Sequence, residues 1–209
     1  MTAIVDYLID EHDIKMFVIA CNTATCYTIK ELREQYPLLL VGTEPAVKPA
    51  SLHTKTGTIA IISTPATSKS KTIQKLIKDY AGNLNVLNIG CKGLENTVEK
   101  GSIDNPEAEK LLKKYLKNVK ASNADRLVLG CTHYPFLKRA IGNILGRKVK
   151  LVDSGKAIAR RTKDLLQKGK ISNSRGGETL YLTTGSASKF EKVASKLLRK
   201  PIVANRAVF

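Results

Sequence analysis

The sequence predicts an α/β protein of two similar lobes, each a mostly parallel sheet flanked by helices, with the functional site in the cleft between them. Its apolar segments are continuous runs rather than alternating ones, which is typical of strands covered on both faces. Helical patterns separate these runs, as they do in parallel sheets. Two of the runs end at a cysteine, Cys21 and Cys131. Because ligands bind at the carboxyl ends of parallel strands, the two cysteines are predicted to form two halves of one site.

The first part of the chain alternates helical and strand patterns. Residues Ile4, Val5, Leu8 and Ile9 form one helical stripe at the start of the chain. The patterns predict a helix at residues 1–11, a strand at 15–20, a helix at 28–36, a strand at 38–42, a short segment up to His53 and a strand at 57–64.

The rest of the chain continues the alternation. A helix carrying Ile73, Leu76 and Ile77 is predicted to begin at an N-cap, either Thr67 or Ser68. The later patterns predict strands at 85–91, 127–130, 149–153, 179–183 and 201–204, a short helix or turn at 93–100, helices at 106–119, 136–145, 157–167 and 187–198, and a Gly/Ser/Asn-rich loop at 169–177. Pro135 suits the first turn of the helix at 136–145.

Composition narrows the class of protein. The chain has 209 residues and 43% hydrophobic content, which is enough for a substantial core. It contains no apolar run of the roughly 20 residues that a membrane helix needs, and its first residues do not form a secretory signal. A cytoplasmic protein is therefore predicted.

The net charge of +17 would suit nucleic-acid binding, but the lysines recur singly on helical faces and tryptophan is absent. A small anionic substrate is the favoured partner, with no nucleic acid and no membrane.

The four cysteines do not form a disulfide framework or a zinc site by pattern. Without a secretion signal a disulfide framework is not expected. Cys21 and Cys26 are five residues apart and no paired histidine follows, so zinc spacing is lacking. Cys26 and Cys91 are assigned to packing. Cys21 and Cys131 could also be small buried residues, but both end a strand beside threonine and precede a helix, where a thiolate is favoured.

Polar residues around these two cysteines suit binding of an amino acid. Asn22, Thr23 and Thr132, with backbone amides, could bind carboxylate and ammonium groups, although hydroxyls here could equally cap helices. His133 follows Cys131 and Thr132 and could polarise or protonate a neighbouring group. Glu99 lies in a polar region where an acidic residue would ordinarily be on the surface. The run at 153–155 reads as a turn and helix start.

Two runs together resemble the glutamate racemases of the cofactor-independent aspartate/glutamate racemase superfamily. They are Ala-Cys-Asn-Thr-Ala-Thr at 20–25 and Leu-Gly-Cys-Thr-His-Tyr-Pro at 129–135. Supporting matches occur at 41–46, 151–155, 157–160 and 182–185, so the resemblance extends along almost the whole chain. It implies that the protein inverts L-glutamate to D-glutamate for bacterial peptidoglycan, with no cofactor and no metal. A homodimer is possible under this resemblance, and the sequence does not decide the oligomeric state.

The resemblance also implies roles for individual residues. Cys21 and Cys131 would be the acid/base thiols on opposite faces of the α-carbon, which inversion requires. Asn22, Thr23, Thr132 and His133 match substrate-binding positions, and His133 also assists its cysteine. Glu99 matches the family's assisting acidic residue. The implied lobes are residues 1–44 plus 155–209, which carry the first cysteine, and residues 45–154, which carry the second.

The sequence departs from the family pattern at its start. The family's opening strand, its Asp-Ser-Gly loop and a later Tyr-Gly pair have no counterpart here, because Met1 aligns just before the helix that precedes the first cysteine strand. Activity of this chain is therefore in doubt, and an unprotected sheet edge is expected in the first lobe. A fragment, a misplaced start and an inactive relative all stay open. So do a racemase for aspartate or another amino acid and a non-catalytic basic binding module on this fold.

Overall fold

The computed structural model describes residues 1–171 and 176–209, and it is an α/β fold with parallel strand pairing throughout these residues. The helices are α1 (Thr2–His12), α2 (Asn22–Gln35), α3 (Val47–His53), α4 (Pro65–Lys69), α5 (Lys71–Ala81), α6 (Leu94–Glu99), α7 (Pro106–Ala121), α8 (Lys138–Leu145), α9 (Gly155–Lys168) and α10 (Ala187–Leu198), with a 3₁₀ helix at Tyr134–Leu137. The strands are β1 (Met16–Ile19), β2 (Leu39–Gly42), β3 (Thr58–Ser63), β4 (Asn85–Gly90), β5 (Arg126–Leu129), β6 (Lys150–Val152), β7 (Leu182–Thr183) and β8 (Asn205–Arg206).

The largest sheet has four strands in the order β4-β3-β5-β6. Its central strand β3 is buried at every position, and Ile61 of β3 lies opposite Val128 of β5 in the register. Helices cover both faces, because one apolar cluster packs on each side of the sheet. This double cover explains the continuous apolar runs and confirms the predicted fold class.

The helix α7 shows how the sequence builds this lobe. Asn105 caps its first turn by accepting a hydrogen bond from the backbone N–H of Ala108, and Pro106 occupies the first turn, where its missing N–H costs nothing. The side chains buried against the sheet are Ala108, Leu112, Leu116 and Val119. Their spacing places them on one face, so the lysines between them fall on the exposed face.

The remaining strands form two separate pairs, β1-β2 and β7-β8. Among the described residues β1 pairs only with β2, so its other edge has no strand beside it. The prediction of an open sheet edge in this part of the chain agrees with that arrangement. The four-stranded sheet lies within residues 58–152 and the two pairs lie outside that range, while the lobe boundaries at residues 44/45 and 154/155 stay a prediction.

Several predicted elements need correction. The N-cap of α5 is Ser70, whose hydroxyl accepts from the backbone N–H of Ile73, and not Thr67 or Ser68. The short helix α4 occupies the interval because Thr64 and Pro65 are themselves a cap and a first-turn proline. The closing strand is β8 at Asn205–Arg206 rather than residues 201–204. β7 is shorter than predicted, and residues 172–175 of the predicted loop lie outside the described residues.

The described residues offer no candidate for a membrane-spanning helix or for a metal site. No helix there is long and apolar enough to cross a membrane. No group of three or more histidine, cysteine or acidic side chains in those residues is placed to hold a metal ion.

Candidate active site

Cys21 and Cys131 follow the carboxyl ends of two parallel strands, β1 and β5, as predicted from their apolar runs. Cys21 is the N-cap of α2, and its Sγ accepts a hydrogen bond from the backbone N–H of Ala24 at 3.4 Å. It is exposed, whereas Cys131 is buried with 7% of its surface accessible. The two thiols therefore stand in different environments although their local sequences are alike.

The position of Cys131 depends on close backbone contact. The N–H of Gly130 donates to the carbonyl of Ile62 at 2.8 Å, which extends the pairing of β5 with β3 past its last strand residue. A Cβ at position 130 would lie 3.1 Å from that same carbonyl oxygen and 3.1 Å from the Cβ of Ser63. Any side chain immediately before this cysteine would therefore require the end of β3 or β5 to shift by a few tenths of an ångström.

His133 links Cys131 to Glu99. Its Nδ1 lies 3.7 Å from the Sγ of Cys131, and its Nε2 is hydrogen-bonded to Oε1 of Glu99. Glu99 is the last residue of α6, and α6 packs against the 3₁₀ helix that follows His133. The carboxylate can fix the orientation of the imidazole, and the imidazole can exchange a proton with the thiol.

Burial is the main cause that raises the pKa of the Cys131 thiol to about 11; the charges of Cys21 and Glu95 act in the same direction, and hydrogen bonds from the backbone of His133 and Tyr134 act against it. Two conclusions follow. Cys131 is held mainly as a thiol at neutral pH. The charge of Cys21 also contributes to this raised pKa, so the two predicted thiols are electrostatically coupled although one is exposed and the other buried.

Asn22 and Thr23, the two residues after Cys21, connect α2 to other segments of the chain by hydrogen bonds. Asn22 is buried and its Nδ2 donates to the carbonyl of Thr43 at 3.3 Å. The hydroxyl of Thr23 lies 2.8 Å from that of Thr64 and 2.9 Å from that of Thr67. Thr64 and Thr67 were not predicted as site residues. The Thr64-Pro65 pair predicts the start of a helix. No local sequence pattern predicts the contact of Thr64 with Thr23, because the two residues are 41 positions apart.

A cavity of about 740 Å³ opens beside Cys131 and is lined by Asn22, Thr43, Cys131 and Thr132 together with residues of β1 and α9. Cys21 is not one of the lining residues, although its chain neighbours Ala20 and Asn22 are. This volume lies within the range of roughly 300–1,000 Å³ typical of ligand sites. Most of the wall is apolar, including Val18, Leu129, Ile158 and Leu166, and Lys163 is the one Lys or Arg among its described lining residues. The predicted residues Asn22, Thr132 and Cys131 thus meet at this cavity.

The other cysteines behave as packing residues. Cys91 is fully buried in the same apolar cluster as Cys131, and burial raises the pKa of its thiol to about 12. Cys26 is half-buried and accepts a hydrogen bond from the hydroxyl of Ser70 at 3.5 Å. All four cysteines are free.

The sequence of the chain is similar to a family model and to known proteins. The family model for Asp/Glu/hydantoin racemases matches residues 1–162. The glutamate racemase of Herpetosiphon aurantiacus is 37% identical over 191 residues, which cover 90% of this chain and 75% of the relative. The glutamate racemase of Aliarcobacter butzleri is 38% identical over 185 residues, covering 87% of this chain and 71% of the relative.

The fold of the chain is also similar to solved structures of glutamate racemases. A glutamate racemase isoform from Bacillus anthracis superposes with a TM-score of 0.85 at 29% identity, covering 100% of this chain and 79% of that one. Escherichia coli glutamate racemase, solved with L-glutamate and an activator, superposes with a TM-score of 0.85 at 28% identity, covering 98% of this chain and 77% of that one.

Proposed function

This chain belongs to the Asp/Glu/hydantoin racemase family, and we propose that it interconverts L-glutamate and D-glutamate by proton transfer between Cys21 and Cys131. The resemblance to glutamate racemases noted in the sequence is confirmed by these similarities. The class of activity, an amino-acid racemase, follows from the same relatives. The mechanism, the residues that carry it and the cellular role are the proposed part.

In the proposed reaction, the thiolate of one cysteine takes the α-proton of glutamate while the thiol of the other cysteine gives its proton to the opposite face of the carbon. The first thiolate becomes a thiol and the second thiol becomes a thiolate, so charge and protons balance. Exchange with solvent then restores the starting state. A thiol suits both roles because each of its protonation states is accessible to an enzyme near neutral pH.

One observation carries this proposal. Cys21 and Cys131 follow the carboxyl ends of strands from two different sheets, and the charge of Cys21 influences the thiol of Cys131. Cys131 lines the cavity, and Cys21 lies between the lining residues Ala20 and Asn22. Inversion at carbon requires two such groups, one from each side of the substrate.

The surrounding polar groups would bind the substrate. We assign Asn22, Thr23 and Thr132 to the charged groups of glutamate, because the first and third line the cavity and the second lies in a cluster of hydroxyls. His133 would hold or return the proton of Cys131, oriented by Glu99. Hydrogen-bond donors that are in position before the reaction stabilise the negative charge that develops on the substrate in the transition state.

The cellular role that we propose is the supply of D-glutamate for peptidoglycan by a cytoplasmic enzyme with the two lobes predicted from the sequence. This role rests on the resemblance to glutamate racemases. Glutamate is favoured over aspartate as substrate because the named relatives are glutamate racemases.

The test is exchange of the α-proton of L- and D-glutamate in heavy water, followed by NMR, with inversion followed by circular dichroism. The wild-type chain is compared with Cys21→Ser and Cys131→Ser, and Cys26→Ser is the matched control. We expect exchange with inversion in the wild type and the control, and loss of inversion in both site variants. A folded wild-type chain that exchanges neither glutamate enantiomer would overturn the proposal, and exchange of aspartate alone would reassign the substrate.

A further inference from the structure

Glu95 is an acidic residue of α6 that neither the sequence patterns nor the proposed reaction uses. It lies in the first turn of the helix, four residues before Glu99, so the two carboxylates share one helical face. Its Oε1 accepts a hydrogen bond from the backbone N–H of Gly93 at 3.4 Å. Its Oε2 is buried and has no hydrogen-bond partner among the described residues.

Few of the described groups around Glu95 can stabilise its negative charge by a hydrogen bond or an ion pair. The neighbouring Leu94 belongs to the apolar cluster that contains Cys91, Cys131 and Tyr134. The hydroxyl of Tyr134 is directed to the carbonyl of Cys91 at 3.3 Å, so it is not available to the carboxylate. Among the described residues Glu95 forms no ion pair with a lysine, arginine or histidine. A buried carboxylate oxygen without a donor exerts a field that is poorly screened.

We propose that Glu95 is a positioning residue that keeps Cys131 in the thiol form, so that Cys131 begins a turnover as the proton donor. This inference rests on the proposed two-cysteine reaction. A negative charge near a thiol disfavours the thiolate, because the thiolate is also negative. α6 would then act on the site at two points, with Glu99 orienting His133 and Glu95 setting the protonation of Cys131.

The electrostatics of the site support this assignment. After burial and the charge of Cys21, Glu95 is the next cause that raises the pKa of Cys131. Glu95 also raises the pKa values of Cys91 and Tyr134, which places its charge within the same cluster. The other titratable or charged groups around Cys131 are Cys21, Cys91, His133 with Glu99 behind it, Tyr134, and the cavity residues Asp153 and Lys163.

Kinetics alone would not isolate this role. Because the two enantiomers have equal free energy, kcat/KM must be the same in both directions whatever the protonation of either thiol. The thiol itself must therefore be observed, and the cavity beside Cys131 gives a small reagent access to it.

The experiment measures alkylation of Cys131 by iodoacetamide between pH 7 and 11, with the modified peptide quantified by mass spectrometry. All proteins carry Cys21→Ser, so that no charge at position 21 contributes. The variants are Glu95→Gln, which removes the charge, and Glu95→Asp, which keeps it. Glu107→Gln, on the exposed first turn of α7, is the matched control. Thermal unfolding verifies that each variant is folded, and Glu95→Ala replaces Glu95→Gln if the latter is not.

We expect Glu95→Gln to move the alkylation midpoint to lower pH and to raise the rate at pH 8 about threefold, since a thiolate of lower pKa is more abundant but less nucleophilic. Glu95→Asp and Glu107→Gln should keep the midpoint of the parent. An unchanged midpoint in Glu95→Gln would overturn the proposal, and so would an equal rise in Glu95→Asp, which would indicate loosened packing rather than charge. Neither outcome bears on racemisation itself, which the heavy-water exchange tests separately.

Discussion

The hydroxyl of Thr23 on α2 lies 2.8 Å from the hydroxyl of Thr64, the N-cap of α4. This contact joins the helix that follows Cys21 to a helix beside the four-stranded sheet. Thr67 completes the cluster, with its hydroxyl 3.1 Å from that of Thr64. The group that we assign to substrate binding is therefore itself held by residues from another part of the chain.

Replacing Thr64 by valine should weaken substrate binding more than it slows the reaction. The change keeps the shape of the side chain but removes the hydroxyl beside Thr23 and the cap of α4, at a cost of about 1–2 kcal/mol in unfolding free energy. We expect KM to rise about tenfold with a smaller change in kcat, since Thr23 without this neighbour should keep only part of a hydrogen bond to a charged substrate group, which is worth roughly 1.5–3 kcal/mol when intact. Steady-state kinetics and urea unfolding measure both effects.

The control for that variant is Thr72→Val on α5, where the threonine lies outside the hydroxyl cluster. Its KM should equal that of the wild type. A Thr64→Val enzyme with wild-type KM would show that the hydroxyl cluster supports the fold without contributing to binding.

The sequence predicts the sheets well and the cluster of threonines not at all. The strands β3 and β5 were predictable because burial on both faces leaves a continuous apolar run. The positions of Cys21 and Cys131 at strand ends were predictable because a strand end has a local pattern. The contact between Thr23 and Thr64 depends on how two distant segments dock, and either threonine by itself has the pattern of a helix cap. The pair β7 and β8 was misplaced because strands of two residues carry almost no periodic signal.

Stability should fall at alkaline pH because two buried thiols must ionise. Burial raises the pKa of Cys91 to about 12 and that of Cys131 to about 11, whereas an unfolded cysteine titrates near pH 8.5. The unfolded state therefore loses its protons first. The contribution of each thiol to stability is fully present below about pH 8.5 and is lost as the pH rises towards the folded pKa.

Cys91→Ala should move the midpoint of alkaline unfolding to higher pH, because one of these buried ionisations is removed. Circular dichroism at 222 nm across pH 8 to 12 gives the midpoint. Cys26→Ala removes a half-buried thiol and is the control, with an expected midpoint like that of the wild type. If both variants shift the midpoint equally, burial of Cys91 is not the cause.

Glu99→Gln should lower kcat while leaving the fold intact. The Glu99 side chain is 65% exposed, so its replacement removes little packing. Its carboxylate accepts a hydrogen bond from Nε2 of His133, which leaves Nδ1 of the ring facing Cys131. A glutamine amide can present either a donor or an acceptor to Nε2, so it would not fix the imidazole in one state. We expect a fall in kcat of roughly tenfold to a hundredfold, at or below the lower end of general acid/base effects, because Glu99 acts through His133.

The pH profile distinguishes orientation from simple loss of structure in that variant. Since Glu99 is proposed to fix the imidazole, the profile of kcat should change shape as well as height. Glu107→Gln provides a surface control that should match the wild type. An unchanged profile with full kcat would remove Glu99 from the proposed site.

Gly130→Ala should impair the enzyme through a displacement of Cys131, even though alanine is acceptable to the backbone there. An added Cβ would meet the carbonyl oxygen of Ile62 and the Cβ of Ser63, both at 3.1 Å, and these neighbours belong to the rigid strand β3. The strand end must therefore shift by a few tenths of an ångström, and an overpacked core costs about 1–3 kcal/mol in unfolding free energy.

Catalysis should be impaired as well as stability, because a misplacement of a reacting group by about 1 Å can cost a hundredfold in rate and the expected shift is a few tenths of that distance. Gly142→Ala in α8 is the matched control, since a Cβ there meets nothing within 4 Å. That variant should keep its activity and gain about 0.5–1 kcal/mol from the better helix propensity of alanine. Urea unfolding and kcat measured on both variants separate the two effects, and a Gly130→Ala enzyme as active as Gly142→Ala would show that Cys131 tolerates the shift.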